Sequence, residues 1–506
     1  MVTRSSGYLL AVLAGVLLAL SFPRFGHPMF AWIALTPLLV ALDSHPPREA
    51  FALGLATGVA FFVGTLYWIT RVMVVYGGLN VVSAVLVNAG LIAYLALFPA
   101  VFAVVTSRLR QAGDSRTLMV APFVWAASEL GRTYVLTGFP WVLLGYSQVH
   151  VLPVAQLASV VGVYGVSALV AGVSAALAVF VVGHGRPPID RVLPLAMTAA
   201  TVLAVTFWGS LRVAGGELTR AGTPIRVGLV QGNVDQAEKW DTRRADEILR
   251  GYLQMTLQAI DQGASVVLWP ESSTPFYFDE DRAGAEQVRA LARHGKVSIL
   301  VGSDQIDHGA ETKYYNAAFL VQPSGRTDGV YRKIHLVPFG EYVPLKRVLF
   351  FAAPLVEAVS DFSAGDRVAL LPLDGHLIST AICYEIVYPN LVRGFVGAGS
   401  ELLTTITNDA WFGRTAAPYQ HFAQAAMRAI ENGRYLVRSA NTGISGVVDP
   451  YGRVLSESKL FEPAVLVGEA RLLRESTLYS RTGDVFAYMS VAATLGLLAL
   501  TRGRVK

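Results

Sequence analysis

Apolar positions along the chain fall into two textures. Up to residue 215 they run in long tracts, near 7–22, 28–42, 50–70, 79–106, 117–131, 153–183 and 191–209, and one more follows at 485–501. Several approach the roughly 20 residues with which a helix crosses about 30 Å of hydrocarbon, so they predict membrane-spanning helices; the first two and the fifth are shorter. From Pro224 the runs become short and are separated by Gly, Pro, Asn and Asp. IRVGLVQGN (225–233), ASVVLWPES (264–272), VSILVGSD (297–304), NAAFLVQPSG (316–325), HLISTAICYE (376–385) and SELLTTITND (400–409) each read as a buried strand ending in polar residues. Helical spacing intervenes at 243–261, 281–294, 387–397 and 418–433, and strands alternating with helices predict a layered α/β fold.

The chain therefore divides into a bundle of seven helices at 1–215, an α/β domain at 216–484, and a last helix with its tail at 485–506. Within the domain, LKRVLFFAAPLVEA (345–358) is apolar but too short to span. Two readings stand: an interfacial segment or lid that dips into a leaflet, or an ordinary core helix.

Composition supports a membrane protein, because 53% hydrophobic residues, 15% charged residues and a mean hydropathy of +0.47 are too apolar for a soluble enzyme of this length. Arg4 ahead of an apolar run also fits a signal peptide, but no small-x-small cleavage site follows, so that tract is expected to persist as a helix. Alternate loops differ in charge. One set carries Arg4, Arg48, Arg108, Arg110, Arg116, Arg186, Arg191, Arg502, Arg504 and Lys506, whereas the other short loops carry only Arg24, Arg71 and Arg132. Cytoplasmic loops retain positive charge, so both termini are expected inside and residues 216–484 outside. The net charge of +5 and pI of 9.2 are then explained by topology, with no nucleic acid partner.

A single cysteine, Cys383, excludes an intramolecular disulfide. A lone Cys can be merely a small buried hydrophobe, but in an exported domain a retained reactive thiol is the alternative. Glu271 in LWPES and Cys383 in ICYE each follow an apolar strand, so both should emerge at the carboxyl edge of a sheet, where open α/β folds bind ligands. Attack by a thiol on an ester or amide requires a base, for which Glu271 is the candidate. The oxyanion formed needs a donor or a cation, for which Lys333 in YRKIHLVPFGE and the backbone N–H of Tyr384 are candidates.

The contexts WPES, YRKIHLVPFGEYVP and ICYE resemble the nitrilase superfamily, whose Glu, Lys and Cys form a catalytic triad within an αββα sandwich. QGNVDQAEKWD (231–241), TNDAWFG (407–413) and SANTGISGVVDPYG (439–452) are similar to its membrane-bound apolipoprotein N-acyltransferase branch, as is SELGRTYVLTGFPWVLLGYSQ (128–148) in the membrane half. The resemblance implies a polytopic bundle of about eight transmembrane helices plus a nitrilase-like sandwich, in a bacterial inner membrane. It also implies acyl transfer through a Cys383 thioester. The donor would be a phospholipid and the acceptor the α-amino group of a diacylglyceryl-modified cysteine on an apolipoprotein. Trp240, Glu341, Tyr384 and Glu385 are implicated as supporting residues: Glu341 to hold Lys333 or assist the base, Glu385 to order the loop after the nucleophile, and Trp240 and Tyr384 to line a lipid entrance.

Two rivals share these residues: a membrane-anchored hydrolase in which water resolves the thioester, and an inactive lipoprotein-binding module. Glu129 and Arg132, at a membrane edge, read as an i, i+3 pair, and His335 as a structural hydrogen-bonding residue. No metal-ligand spacing or phosphate-binding loop occurs, so no metal or other cofactor is expected, and the partners are membrane lipids and the two lipidated substrates of a monomer.

Overall fold

The computed structural model describes residues 3–236, 238–239, 241–342 and 362–501; Trp240, the 345–358 segment and the cations Arg502, Arg504 and Lys506 lie outside them. Contacts divide the chain into two compact units, Met1–Arg71 with Leu79–Gly215 and Thr482–Lys506, and Val72–Gly78 with Gly216–Arg481.

The first unit is helical throughout its apolar tracts. Among the described residues four helices are long and apolar enough to cross a membrane, Pro47–Leu66, Val81–Gln111, Ala158–Val182 and Pro188–Thr219, while Arg4–Leu20, Met29–Leu42 and Val485–Thr501 are shorter. The 28–42 tract breaks into Met29–Ala34 and Thr36–Leu42, with Pro37 in the first turn of the second piece, where its missing N–H costs nothing. The 117–131 tract begins as a 3-10 turn, Ser115–Val120, before the helix Ala121–Tyr134.

Small residues set how closely these helices pack. A Cβ on Gly54 would meet the Pro99 carbonyl oxygen at 2.4 Å and Ala100 Cα at 2.7 Å, and one on Gly58 would meet Ala96 Cα at 2.7 Å. The backbones of Pro47–Leu66 and Val81–Gln111 thus touch, which lets dispersion act where lipid offers no hydrophobic drive. At one end of the unit, Arg110 pairs with Asp43 at 2.6 Å, Arg116 with Asp190 at 3.2 Å and Arg186 with Asp114 at 3.2 Å. Three loops of the cation-rich set therefore lie together. Glu129 and Arg132, expected as an i, i+3 pair, both bond beyond their own helix. Glu129 Oε1 accepts from Leu144 N at 2.6 Å and Trp125 Nε1 at 3.0 Å, and Arg132 donates to the Trp141 carbonyl at 2.6 Å, so both fasten the loop that follows their helix.

The second unit holds two six-stranded sheets. The first contains β1 (Thr223–Gln231), β2 (Val266–Leu268), β3 (Ser298–His308), β4 (Thr312–Val321), β5 (Thr327–Arg332) and β12 (Ala464–Leu472), in the order β12-β1-β2-β3-β4-β5. The second contains β6 (Leu371–Leu373), β7 (His376–Ile382), β8 (Leu402–Thr407), β9 (Leu436–Ala440), β10 (Gly446–Val448) and β11 (Val454–Glu457), in the order β11-β10-β9-β8-β7-β6. β1–β2–β3 and β7–β8–β9 run parallel.

The helices Ala245–Asp261 and Arg282–Gly295 cover the first sheet through Leu249, Tyr252, Val288 and Ala292 against Val267, Trp269, Ile299 and Phe319. Each large aliphatic or Phe side chain sealed this way contributes roughly 1.5–3 kcal/mol. Pro389–Gly397 and the buried helix Ala417–Asn432 follow β7 and β8 in the other half. The sheets meet face to face, with Ser439 Oγ of β9 donating to the Val230 carbonyl of β1 at 3.0 Å. All six expected strands and four expected helices are present; β5, β6 and β9–β12 are additional.

Replacing Gly58 by Leu should force the two helices apart. A loss of about 1–3 kcal/mol is expected, read as a lower midpoint of thermal unfolding in detergent, with Gly90→Ala, which meets nothing within 4 Å, as the neutral control.

Candidate active site

The three strand ends expected to carry chemistry converge. β2 stops at Leu268, the chain passes through Trp269 and Pro270, and Glu271 follows, only 6% exposed. Gly302 on neighbouring β3 permits this approach, because a Cβ there would lie 2.1 Å from the Pro270 carbonyl oxygen. Glu271 Oε2 accepts from Asn408 N at 2.9 Å; Oε1 accepts from Asn316 Nδ2 at 2.7 Å and lies 3.4 Å from Lys333 Nζ.

Lys333 directly follows β5, and its backbone N–H donates to the Asn316 carbonyl at 2.8 Å. Its Nζ is buried and donates to Glu341 Oε1 at 2.8 Å. Glu341 in turn accepts from Asn316 Nδ2 at 3.1 Å and, through Oε2, from Val337 N at 2.8 Å. Burial opposes the Lys333 ammonium, but Glu341 and then Glu271 hold it protonated, above the usual lysine range.

Cys383 opens the 3-10 turn Cys383–Val387 immediately after β7, with φ at +53°. That left-handed conformation is strained for a residue with a Cβ, and the turn is fixed from three sides. Glu385 Oε2 accepts from Ile382 N at 2.7 Å, while its Oε1 accepts from Ile334 N at 2.7 Å, Tyr331 Oη at 2.8 Å and His335 N at 3.1 Å. Glu385 thus joins the turn after the thiol to the loop after Lys333. His421 Nε2 reaches the Cys383 carbonyl at 3.1 Å and its Nδ1 lies 3.0 Å from Asp409, which also pairs with Arg438 at 2.9 Å. Against the cost of burial, Arg438 and His421 hold Asp409 down at about 2, so this backing stays ionic.

Burial, and next the charge of Glu271, push the Cys383 thiol above its ordinary range, whereas Lys333 pulls it down. The sulfur therefore rests protonated and depends on a nearby base for attack. Tyr384 packs edge-on against Tyr388 at 5.3 Å, and the His335 ring lies 3.8 Å from Tyr388. Burial, then Lys333, lower His335 to about 4.

Asn316, Lys239, Asn408 and His421 were not singled out from the sequence. Asn316 is a polar residue heading the apolar run of β4, and Asn408 lies in the TNDAWFG stretch. Lys239 lies in the QGNVDQAEKWD stretch, is 4% exposed, and donates to the Glu271 carbonyl at 3.1 Å. Among the described residues no group of His, Cys, Asp and Glu is arranged to hold a metal ion.

Residues 14–176 match the family model of the apolipoprotein N-acyltransferase N-terminal domain, and residues 226–475 match that of carbon-nitrogen hydrolases. The apolipoprotein N-acyltransferase of Geobacter metallireducens is 44% identical over 97% of this chain and 95% of its own length. The chain belongs to the apolipoprotein N-acyltransferase family. The corresponding protein of Methylococcus capsulatus is 35% identical over 98% of this chain and 96% of its own. Among solved structures, an amidase of the nitrilase superfamily from Nesterenkonia is 19% identical, covering 55% of this chain and 98% of that one, with a TM-score of 0.39. In this member of the family, the stretches that resembled the apolipoprotein N-acyltransferase branch interlock: Asn233 N donates to the Asn441 carbonyl at 2.9 Å, and Asn441 Nδ2 donates to Asn408 Oδ1 at 3.1 Å.

Asn316→Ala should remove one donor from Oε1 of both Glu271 and Glu341, leaving those oxygens to Lys333 alone and lowering stability by about 1–3 kcal/mol in thermal unfolding. His335 supplies a pH dependence. Its folded value of about 4 lies below the ordinary 6.5, so its contribution is complete above about pH 6.5 and fades as pH falls toward 4. Urea midpoints measured across that window should decline for the native chain and decline less for His335→Asn.

Proposed function

We propose that this chain transfers a fatty acyl group from a phospholipid to the α-amino group of a diacylglyceryl-modified cysteine at the N-terminus of an apolipoprotein. The observation that carries the reading is one buried cluster in which Glu271 and Lys333 share a hydrogen-bonded network and act electrostatically on Cys383, in a chain 44% identical to a named apolipoprotein N-acyltransferase.

Glu271 accepts the thiol proton as Cys383 Sγ attacks the ester carbonyl. Lys333 and the Tyr384 N–H stabilise the oxyanion. The intermediate collapses to a thioester, and the departing lysophospholipid oxygen takes the proton back from Glu271. In the second half the acceptor amine attacks the thioester, gives its proton to Glu271, and leaves an amide as the thiolate departs and is reprotonated. Glu341 keeps Lys333 in place, and Glu385 keeps the Cys383 turn registered to the Lys333 loop. Trp240 and Tyr384 would border the lipid entrance.

The four long apolar helices fit an enzyme whose substrates are both lipid-anchored, since confinement to a plane supplies proximity. The cation-rich loops gathered at one end of the helical unit fit a topology with both termini cytoplasmic and residues 216–484 periplasmic in a bacterial inner membrane. The boundaries 1–215, 216–484 and 485–506 and a monomeric state complete the reading.

Purified protein incubated with phospholipid should gain one acyl mass on Cys383 that hydroxylamine removes, and Cys383→Ala should gain none. An amine acceptor should then carry the chain as an amide. Release of free fatty acid without an acylated amine would instead identify a hydrolase, and a native protein that gains no mass during turnover would end the thioester mechanism.

A further inference from the structure

Besides Lys333, a second ammonium is sealed beside the proposed base. Lys239 is 4% exposed, and its Nζ donates to the backbone carbonyl of Glu271 at 3.1 Å. On the other side of that residue, Ser272 adopts a left-handed φ of +42° and its Oγ donates to Asp304 Oδ1 at 2.7 Å. The turn bearing Glu271 is thus gripped at its carbonyl and at the next hydroxyl.

The loop that brings Lys239 here is built for the purpose. Lys239 N donates to the Asp235 carbonyl at 3.1 Å, Val234 N donates to Asn441 Oδ1 at 2.9 Å, and Asn441 Nδ2 bonds Asn408 Oδ1 at 3.1 Å. Asn408 is also the residue whose N–H meets Glu271 Oε2. One bonded chain therefore positions both the ammonium and the carboxylate.

A neutral donor would satisfy a backbone carbonyl at smaller desolvation cost than a buried ammonium, so the charge itself needs a reason. Burial opposes the Lys239 charge, while Asp304, Glu271 and Cys383 favour it. At neutral pH the carboxylates Glu271, Glu341 and Asp304, the last raised by burial to about 6, face the ammoniums Lys333 and Lys239. When the thiol proton moves to Glu271, the negative charge moves to sulfur and the total is unchanged. Without Lys239 a single ammonium would face three negative charges at every step.

Resting on the acyl-transfer reading above, we infer that Lys239 is a positioning residue which fixes the Glu271 turn and supplies the second positive charge that lets the site hold a thiolate or an oxyanion.

The experiment compares the full-length native protein with Lys239→Met, which keeps most of the stem, and Lys239→Arg, which keeps the charge, following thermal unfolding of each. Iodoacetamide alkylation of Cys383 is measured against pH, and thioester formation from phospholipid is timed separately. Lys239→Met should move the alkylation profile up by about one pH unit or more and slow acylation roughly 10- to 100-fold, with Lys239→Arg restoring part of both. Superimposable alkylation profiles for the native protein and a folded Lys239→Met would overturn the inference. Should Lys239→Met not fold, a Lys239→Arg profile displaced as far as that of Lys333→Met would overturn it equally. Alkylation requires no lipid chemistry, so failure of the native protein to form a thioester would count against the acyl-transfer reading and leave the alkylation result to judge Lys239.

Discussion

The ammonium of Lys333, clamped between Glu341 and Glu271 away from water, is the interaction on which the rest of the second unit depends. A lone buried charge is costly, and a pair repays that cost only when the geometry satisfies every remaining donor and acceptor. The surrounding bonds follow from that demand. Asn316 Nδ2 reaches both carboxylates, Val337 N closes on Glu341, and Asn408 N closes on Glu271. Those groups come from β4, the loop after Lys333 and the end of β8, so the two sheets must hold one register for the cluster to exist.

The clamp also sets the division of labour around the thiol. Burial and Glu271 keep Cys383 protonated at rest, while Lys333 favours its thiolate. A sulfur poised in this way gains nucleophilicity only when its proton has somewhere close to go. The left-handed backbone at Cys383 aims the thiol at the price of strain, and Glu385 holds the turn with bonds that run to both flanking loops. Moving either loop would loosen the other, which makes Cys383 and Lys333 a single mechanical unit.

Much of this was legible because it rests on patterns of local sequence. β2 lies within the apolar run SVVLWP just before Glu271, and β7 is a mostly apolar, buried run directly followed by Cys383, and runs of that kind can be read without knowing what they pack against. β6 and β10 have only three residues each, too few for any period to register, and β9 carries Arg438, whose charge hides a strand until Asp409 is seen beside it. The helix Ala417–Asn432 was found by spacing, yet its buried His421, Arg428 and Glu431 would have argued for a solvent face. His421 is held by Asp409 and the Cys383 carbonyl, partners that spacing cannot reveal, whereas Arg428 and Glu431 pair with each other at i, i+3 inside the fold. The 28–42 tract similarly counted as one span, although its proline starts a second helix.

The stretches that resemble the apolipoprotein N-acyltransferase branch lie around the cluster of Glu271, Lys333 and Cys383 rather than in it. The stretches meet at Asn408 and Asn441, where Asn233, Val234 and Gln236 are bonded to the residues just after β8 and β9. Those bonds decide what stands beside Glu271 without altering Glu271 itself. Transfer to an amine and hydrolysis by water begin with the same attack by sulfur, and they part only in what reaches the thioester afterward. In the proposed reaction, the segment that brings Lys239 to Glu271 is therefore where the choice of acceptor would be made, independently of the groups that would break the first bond.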